Sequence, residues 1–170
     1  PSAMVLGANI FFGHDLPVLM ARADQKAEGS TVFGYRVADP ERYGVVDFDG
    51  KKVRALVEKP VKPPSPYAVT GLYFMDGTAS ERAARVTPSE RGELEIVDLL
   101  QSYLDEGRLT VTRMGRGYGW LDTGTHDSLI EAGSFVQTLE KRQGLKIGCP
   151  EEIAFEKGWI DAAALRALAE

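Results

Sequence analysis

The stretch Tyr67-Ala68-Val69-Thr70-Gly71-Leu72-Tyr73-Phe74 most constrains what this chain can fold into. It is nearly all apolar and follows a stiff, extended connector, Lys62-Pro63-Pro64-Ser65-Pro66. A strand of this kind has no face to give to water, so it must be covered on both sides. A sheet with layers on either face is α/β architecture. Gly71 interrupts the run and lets another group approach the backbone closely.

The rest of the chain supplies the layers. Leu16, Leu19, Met20 and Ala23 recur at three and four after a capping Asp15, which predicts a helix over 16–28 stopped by Gly29. Leu129, Ala132, Val136 and Leu139 predict another over 126–143, stopped by Gly144. Shorter helices are expected over 78–86 and from about 96 to 106, and a last helical pair after Pro150, whose first turn carries Glu151 and Glu152. β-Branched and aromatic content predicts strands over 31–37 and 109–114. Val5-Leu6-Gly7 reads as a short strand handing over to a loop. Tyr43 to Gly50 and Lys52 to Glu58 read as a hairpin closed by Asp49-Gly50.

Composition excludes several classes. The 170 residues are 44% hydrophobic and 26% charged, with no apolar run long enough for a membrane helix, so no membrane partner is expected. A net charge of -5 argues against nucleic acid, whose binders usually present a basic face. The single cysteine, Cys149, rules out an internal disulfide and a cysteine metal cluster, which fits a reducing, cytoplasmic setting.

Chemistry concentrates where strands end. Glu58 and Lys59 are adjacent, and on an extended strand they would point to opposite faces, but Pro60 ends that strand. By itself this is also what a solvated, ion-rich terminus looks like. Asp122 closes Tyr118-Gly119-Trp120-Leu121-Asp122 just before Thr123-Gly124-Thr125. A carboxylate there can meet a hard cation or a polyhydroxyl ligand, or simply accept from turn amides. Glu90, Arg91, Glu93 and Glu95 suit a solvated loop running into a helix N-terminus.

Several segments together resemble the sugar-1-phosphate nucleotidylyltransferases, specifically the glucose-1-phosphate thymidylyltransferases. Tyr118-Gly119-Trp120-Leu121-Asp122-Thr123-Gly124-Thr125-His126 is similar to the family's most distinctive motif. Leu6-Gly7-Ala8-Asn9-Ile10-Phe11 resembles Leu-Gly-Asp-Asn-Ile-Phe, Tyr43-Gly44 the segment Arg-Tyr-Gly-Val, and Glu58-Lys59-Pro60 the motif Glu-Lys-Pro. Ala68 to Phe74 and Arg91-Gly92-Glu93-Leu94-Glu95-Ile96 match further family segments, in the family's order.

The resemblance implies a partial, Rossmann-like nucleotide-diphospho-sugar transferase fold: a mixed sheet with flanking helices and a C-terminal helical segment. It implies a sugar-phosphate-binding part over 1–143 and a subunit-contact or regulatory segment over 144–170. It implies that Tyr43, Gly44, Glu58, Lys59, Val69, Tyr73 and Arg91 bind the sugar phosphate, with Lys59, Arg91 and Asp122 acting in catalysis. Asp122 would be one of two carboxylates for Mg²⁺, but the other position is Ala8, whose methyl cannot coordinate, so the metal site is expected to be incomplete. Arg116 and the neighbourhood of Ile147 would belong to a regulatory site. The implied partners are glucose-1-phosphate and a nucleoside triphosphate, dTTP giving dTDP-glucose on the way to rhamnose and other deoxysugars. The family's glycine-rich nucleotide loop is not among these residues. The chain is therefore expected to be a C-terminal portion with little activity of its own, and to self-associate as a homo-oligomer through an open sheet edge. The other reading is a degenerate, non-catalytic sugar-phosphate-binding or assembly module.

Overall fold

A computed structural model of the chain describes residues 1–26, 28–89 and 92–169, which form two compact units, Pro1–Thr123 and Gly124–Glu170.

The first unit is built around β6 (Tyr67–Met75), in which every residue but Tyr67 is buried. It pairs antiparallel with β1 (Ser2–Val5) and with β3 (Ser30–Arg36). On its far side β3 pairs parallel with β7 (Leu109–Arg113). The hairpin of β4 (Gly44–Asp49) and β5 (Lys52–Glu58) joins β6 through Val45 opposite Ala68. The sheet is mixed and six-stranded, in the order β5-β4-β6-β3-β7, with β1 also on β6.

Both faces of β6 are covered, as its sequence requires. Val69, Tyr73 and Met75 pack with Val32, Val46 and Leu56 and with Val97, Leu99, Leu100 and Tyr103 of α3 (Ile96–Asp105). Leu72 and Phe74 pack on the opposite face with Phe33, Met114 and Ala23, the last from α1 (Leu16–Asp24). The expected helix over 16–28 is thus shorter, because Ala23 is its one buried residue and the polar run Asp24-Gln25-Lys26 has nothing apolar to dock. The helix expected over 78–86 is likewise a single short element, α2 (Ala79–Ala83).

Near Gly71 the sheet is irregular. Val32 faces Tyr73 whereas Gly34 faces Val69, so two steps along β3 correspond to four along β6. Such a bulge bends a strand and frees its backbone for other partners. The far end of β6 is pinned by Asp76, which is only 5% exposed. Its carboxylate accepts from Gly29 N (2.7 Å), Thr78 N (2.9 Å), Thr78 Oγ1 (2.6 Å), Tyr103 Oη (3.0 Å) and Arg108 Nη2 (2.8 Å). Those donors join the ends of β6 and β3 to α3 and to the turn before β7.

Beyond the short strand anticipated near Val5, the chain forms a second one, β2 (Asn9–Gly13), antiparallel to β8 (Tyr118–Asp122) in a separate two-stranded sheet. Asn9 lies opposite Asp122 and Phe11 opposite Trp120.

The second unit is helical: α4 (His126–Gln143), α5 (Pro150–Glu156) and α6 (Ala162–Leu168). Thr125 caps α4 by accepting from Ser128 N, and Gly144 ends it at φ 70°. Glu140 holds the following turn through Lys146 Nζ (2.9 Å) and Ile147 N (3.1 Å). Among the described residues no helix is long and apolar enough to cross a membrane.

Candidate functional site

The β4-β5 hairpin places its two open ends side by side. Gly44 pairs with Glu58, and a Cβ on Gly44 would lie 2.8 Å from Val97 Cγ2, 3.0 Å from Glu58 Oε2 and 3.9 Å from Val69 Cβ. Only hydrogen fits there, so the backbone of Gly44 forms a surface between Glu58 and Val69. Tyr73 is buried, and burial together with the negative charge of Glu58 pushes its phenol up to about 12. The field of Glu58 therefore reaches Tyr73, and the phenol stays a neutral hydroxyl.

Lys59 leaves the strand in an unusual way. Its φ is 40°, which among the described residues no other non-glycine residue shares in sign. A side chain in this region is strained by about 1–2 kcal/mol, and the proline that follows restricts it further. The conformation is held by Lys59 N donating to Tyr43 O at 3.0 Å. Its result is that Lys59 Nζ sits 4.0 Å from Glu58 Oε1, so neighbouring residues deliver their charges to one place.

Asp122 enters from the other sheet. Tyr43 Oη donates to its Oδ2 at 2.6 Å, and Arg42 Nη2 lies 3.5 Å from the same oxygen. Burial first, then the hydrogen bond and charge of Asp122, hold the Tyr43 phenol well above its ordinary range. Arg42 also bonds Asp39 at 2.8 Å, and that contact is the main reason its guanidinium is held further above its already high value. Trp120 meets Tyr43 edge-on at 5.1 Å, while its Nε1 donates to Asn9 Oδ1 at 2.7 Å. The same Asn9 oxygen accepts from Gly71 N at 3.1 Å, and a Cβ on Gly71 would fall 2.6 Å from the Asn9 side chain. The irregular point of β6 is thus where the small sheet attaches to the large one.

These contacts bring Tyr43, Gly44, Glu58, Lys59, Val69, Tyr73 and Asp122 into one neighbourhood, although they come from four separated segments. Arg91 lies outside the described residues. Arg116 lines a different cavity of about 310 Å³ with Tyr35, Arg36, Tyr67, Met114 and Gly115, and Ile147 belongs to the helical unit. Arg42, Asn9 and Trp120 also enter these contacts, although the sequence motifs assign them no role in the site. The available signal for Arg42 was its place beside Tyr43 and three residues after Asp39, a spacing at which opposite charges pair in a helical turn.

Magnesium prefers oxygen donors in octahedral array, usually one or two carboxylates with substrate phosphates and water. Ala8 O accepts from Thr123 N at 2.9 Å, which places residue 8 beside the end of β8 with a methyl as its side chain. Asp122 is the carboxylate that remains, and it is already engaged by a phenol and near a guanidinium. No group of three or more histidine, cysteine or acidic side chains able to hold a metal occurs among the described residues. Of the two carboxylates that the resemblance implies for Mg²⁺, this chain keeps one, and that one is already hydrogen-bonded.

The Nucleotidyl transferase family model matches residues 1–138, most of the chain. The chain belongs to the nucleotidyl transferase family. This nucleotidyl transferase chain is 61% identical over 170 residues to a glucose-1-phosphate thymidylyltransferase of Xanthomonas campestris pv. campestris (strain B100), covering 99% of itself and 58% of that relative. It is 53% identical to the enzyme of the same name from Neisseria gonorrhoeae, over 92% of the chain and 55% of the relative. The chain therefore spans somewhat more than half the length of the curated relatives it matches. Among solved structures, a Bacillus anthracis protein assigned as a glucose-1-phosphate thymidylyltransferase, in complex with a sucrose, aligns with a TM-score of 0.68 and 41% identity over 78% of this chain and 53% of that one. A UDP-glucose pyrophosphorylase complexed with UDP-glucose aligns with a TM-score of 0.70 and 25% identity over 80% of this chain and 55% of its own. The mixed sheet with flanking helices is the Rossmann-like fold of these neighbours.

Proposed function

We propose that this chain is the sugar-phosphate-binding portion of a glucose-1-phosphate thymidylyltransferase. The observation that carries the proposal is the convergence of Glu58, Lys59, Gly44 and Tyr73 at the open end of one hairpin, beside Asp122. In this reading Glu58 accepts hydrogen bonds from sugar hydroxyls, and Gly44 and the Val69 backbone let the hexose lie flat against the sheet. Tyr73, kept neutral by burial, shapes the pocket floor. Lys59 faces the phosphate, and Arg91 supplies a second cation whose planar fork suits two phosphate oxygens.

The reaction of the whole enzyme is attack by a sugar-1-phosphate oxygen on the α-phosphorus of dTTP, with release of pyrophosphate and formation of dTDP-glucose. No protein nucleophile takes part. The protein aligns the reactants and neutralises charge. This chain contributes the half of that alignment that holds the sugar phosphate. By itself it is expected to show little or no pyrophosphate release, since it spans little more than half of its relatives and carries Ala8 at a proposed metal-ligand position. A cytoplasmic setting, self-association into a homo-oligomer and a regulatory role for Arg116 and the Ile147 turn belong to the same proposal. Ala8 favours a second reading, in which the chain is a non-catalytic module that retains the sugar pocket.

Calorimetric titration of α-D-glucose-1-phosphate tests what both readings share. Saturable heat is expected, weakened about tenfold or more by Glu58→Gln or Lys59→Met, since hydrogen bonds to charged groups contribute roughly 1.5–3 kcal/mol. Flat heats from a folded sample at millimolar ligand would remove the sugar-phosphate site. Ordinary pyrophosphate release from dTTP by this chain alone would contradict the expected inactivity; release that appears only when the nucleotide-loop half of a relative is added supports the enzyme portion, and none with intact sugar-phosphate binding supports the module.

A further inference from the structure

A largely buried carboxylate needs a compensating charge, and an anion bound next to it needs one even more. The side chain of Asp122 is 15% exposed, residue 8 beside the end of β8 is alanine rather than a second carboxylate, and among the described residues Arg42 brings a guanidinium to it. The guanidinium of Arg42 is held between Asp39 at 2.8 Å and Asp122 at 3.5 Å, with its side chain 42% exposed. The Tyr43 ring lies 5.3 Å from it, and the Tyr43 hydroxyl bonds the same Asp122 oxygen. A guanidinium carries five donors, so these two carboxylates leave it able to meet a third anion.

We infer that Arg42 is the built-in counter-ion of Asp122, and that this site holds a sugar phosphate without a divalent cation. The inference deepens the sugar-phosphate reading and rests on it. A metal ion approaching Asp122 meets one carboxylate that is already paired and an adjacent fixed positive charge. A phosphate approaching the same place meets a carboxylate already engaged by Arg42 and Tyr43 and, across the hairpin, Lys59. Arg42 is thus a positioning residue that does for Asp122 what a cation would do.

Two measurements decide it. Electron paramagnetic resonance of Mn²⁺ in the presence of the full chain reads metal binding whether or not sugar binds. The wild-type protein is expected to leave Mn²⁺ free; retention that disappears in Asp122→Asn overturns the inference. Calorimetry with glucose-1-phosphate is then run in EDTA and in MgCl₂ at matched ionic strength, so that screening is held constant. Equal affinity within about twofold is expected, with Arg42→Gln weakening binding about tenfold in EDTA and Arg42→Lys restoring most of it, as a charge-assisted contact predicts. A tenfold gain on adding Mg²⁺, or an Arg42→Gln protein that binds as well as wild type, overturns the counter-ion while leaving the sugar-phosphate site intact. Absence of binding in both buffers defeats the sugar-phosphate site and, with it, the cation-independent binding inferred from it.

Discussion

Replacing Asp76 by asparagine isolates what holds the sheet's central strand in place. All the partners of this carboxylate are donors, three on Oδ1 from Thr78 N, Thr78 Oγ1 and Tyr103 Oη, and two on Oδ2 from Gly29 N and Arg108 Nη2. An asparagine can keep one oxygen facing the first set, but its NH₂ must then confront the backbone N–H of Gly29 and the guanidinium of Arg108. Leaving a buried N–H unpaired costs about 1–3 kcal/mol, and losing a hydrogen bond to a charged partner about 1.5–3 kcal/mol. The expected destabilisation is therefore about 3–5 kcal/mol, a large share of the roughly 5–15 kcal/mol that holds a typical domain. With a urea m-value of about 2 kcal/mol/M, the circular-dichroism midpoint at neutral pH should fall by about 2 M. Burial alone would raise the Asp76 carboxyl, yet hydrogen bonds from Thr78, Gly29 and Tyr103 outweigh it and hold the group well below the usual carboxylate range. Its folded pKa is thus lower than its unfolded one, near 3.9, so its stabilisation is complete above that value and is lost as pH falls towards the folded pKa. The gap between wild type and Asp76→Asn should narrow below about pH 4. An asparagine variant within about 1 kcal/mol of wild type at neutral pH, with an unchanged m-value, would show that the carboxylate is not the clamp described.

Gly44→Ala pushes a methyl to 2.8 Å from Val97 Cγ2, and Val97 is 4% exposed in the core and cannot swing aside. Urea unfolding should show a loss of about 1–3 kcal/mol, with weaker glucose-1-phosphate binding because Glu58 is displaced as well. Unchanged stability would mean that the close approach of Gly44 is not needed. Lys59→Gly removes a strained side chain and a proposed phosphate contact together. Relief of about 1–2 kcal/mol is partly offset by the greater freedom of glycine in the unfolded chain, so stability should hold or rise slightly while titrated sugar phosphate binds about tenfold more weakly. A clear fall in stability would show that φ at position 59 is not a source of strain.

What the sequence could disclose follows from how local each signal is. The buried β6, the hairpin ending in Glu58 and the glycine stop at 144 all depend on residues within a few positions of one another, and each appears where the pattern puts it. The β2-β8 pair does not, because it joins Asn9 to Asp122 across most of the first unit, and two phenylalanines between glycine and asparagine carry no period that singles out a strand. Arg42 was hidden for a related reason. Its local partner, Asp39, makes it look like an ordinary surface ion pair, and its second partner is brought beside it only when the small sheet attaches at Gly71.

That attachment separates two tasks within one site. Under the function proposed above, sugar recognition belongs to the large sheet, where Gly44, Glu58, Val69 and Tyr73 are fixed by strand register and by packing against α3. On the same reading, charge handling belongs to the small sheet, where Asp122 ends β8 opposite Asn9 and reaches the hairpin through Tyr43, while Asn9 reaches β6 at Gly71. A change at residue 8 therefore falls beside the end of β8, not in the strands that carry Gly44, Glu58, Val69 and Tyr73. A carboxylate there would add a further negative charge to a cluster in which the Arg42 guanidinium already serves Asp39 and Asp122. On this division of labour, metal dependence and sugar recognition can vary independently, which is why they have to be measured separately.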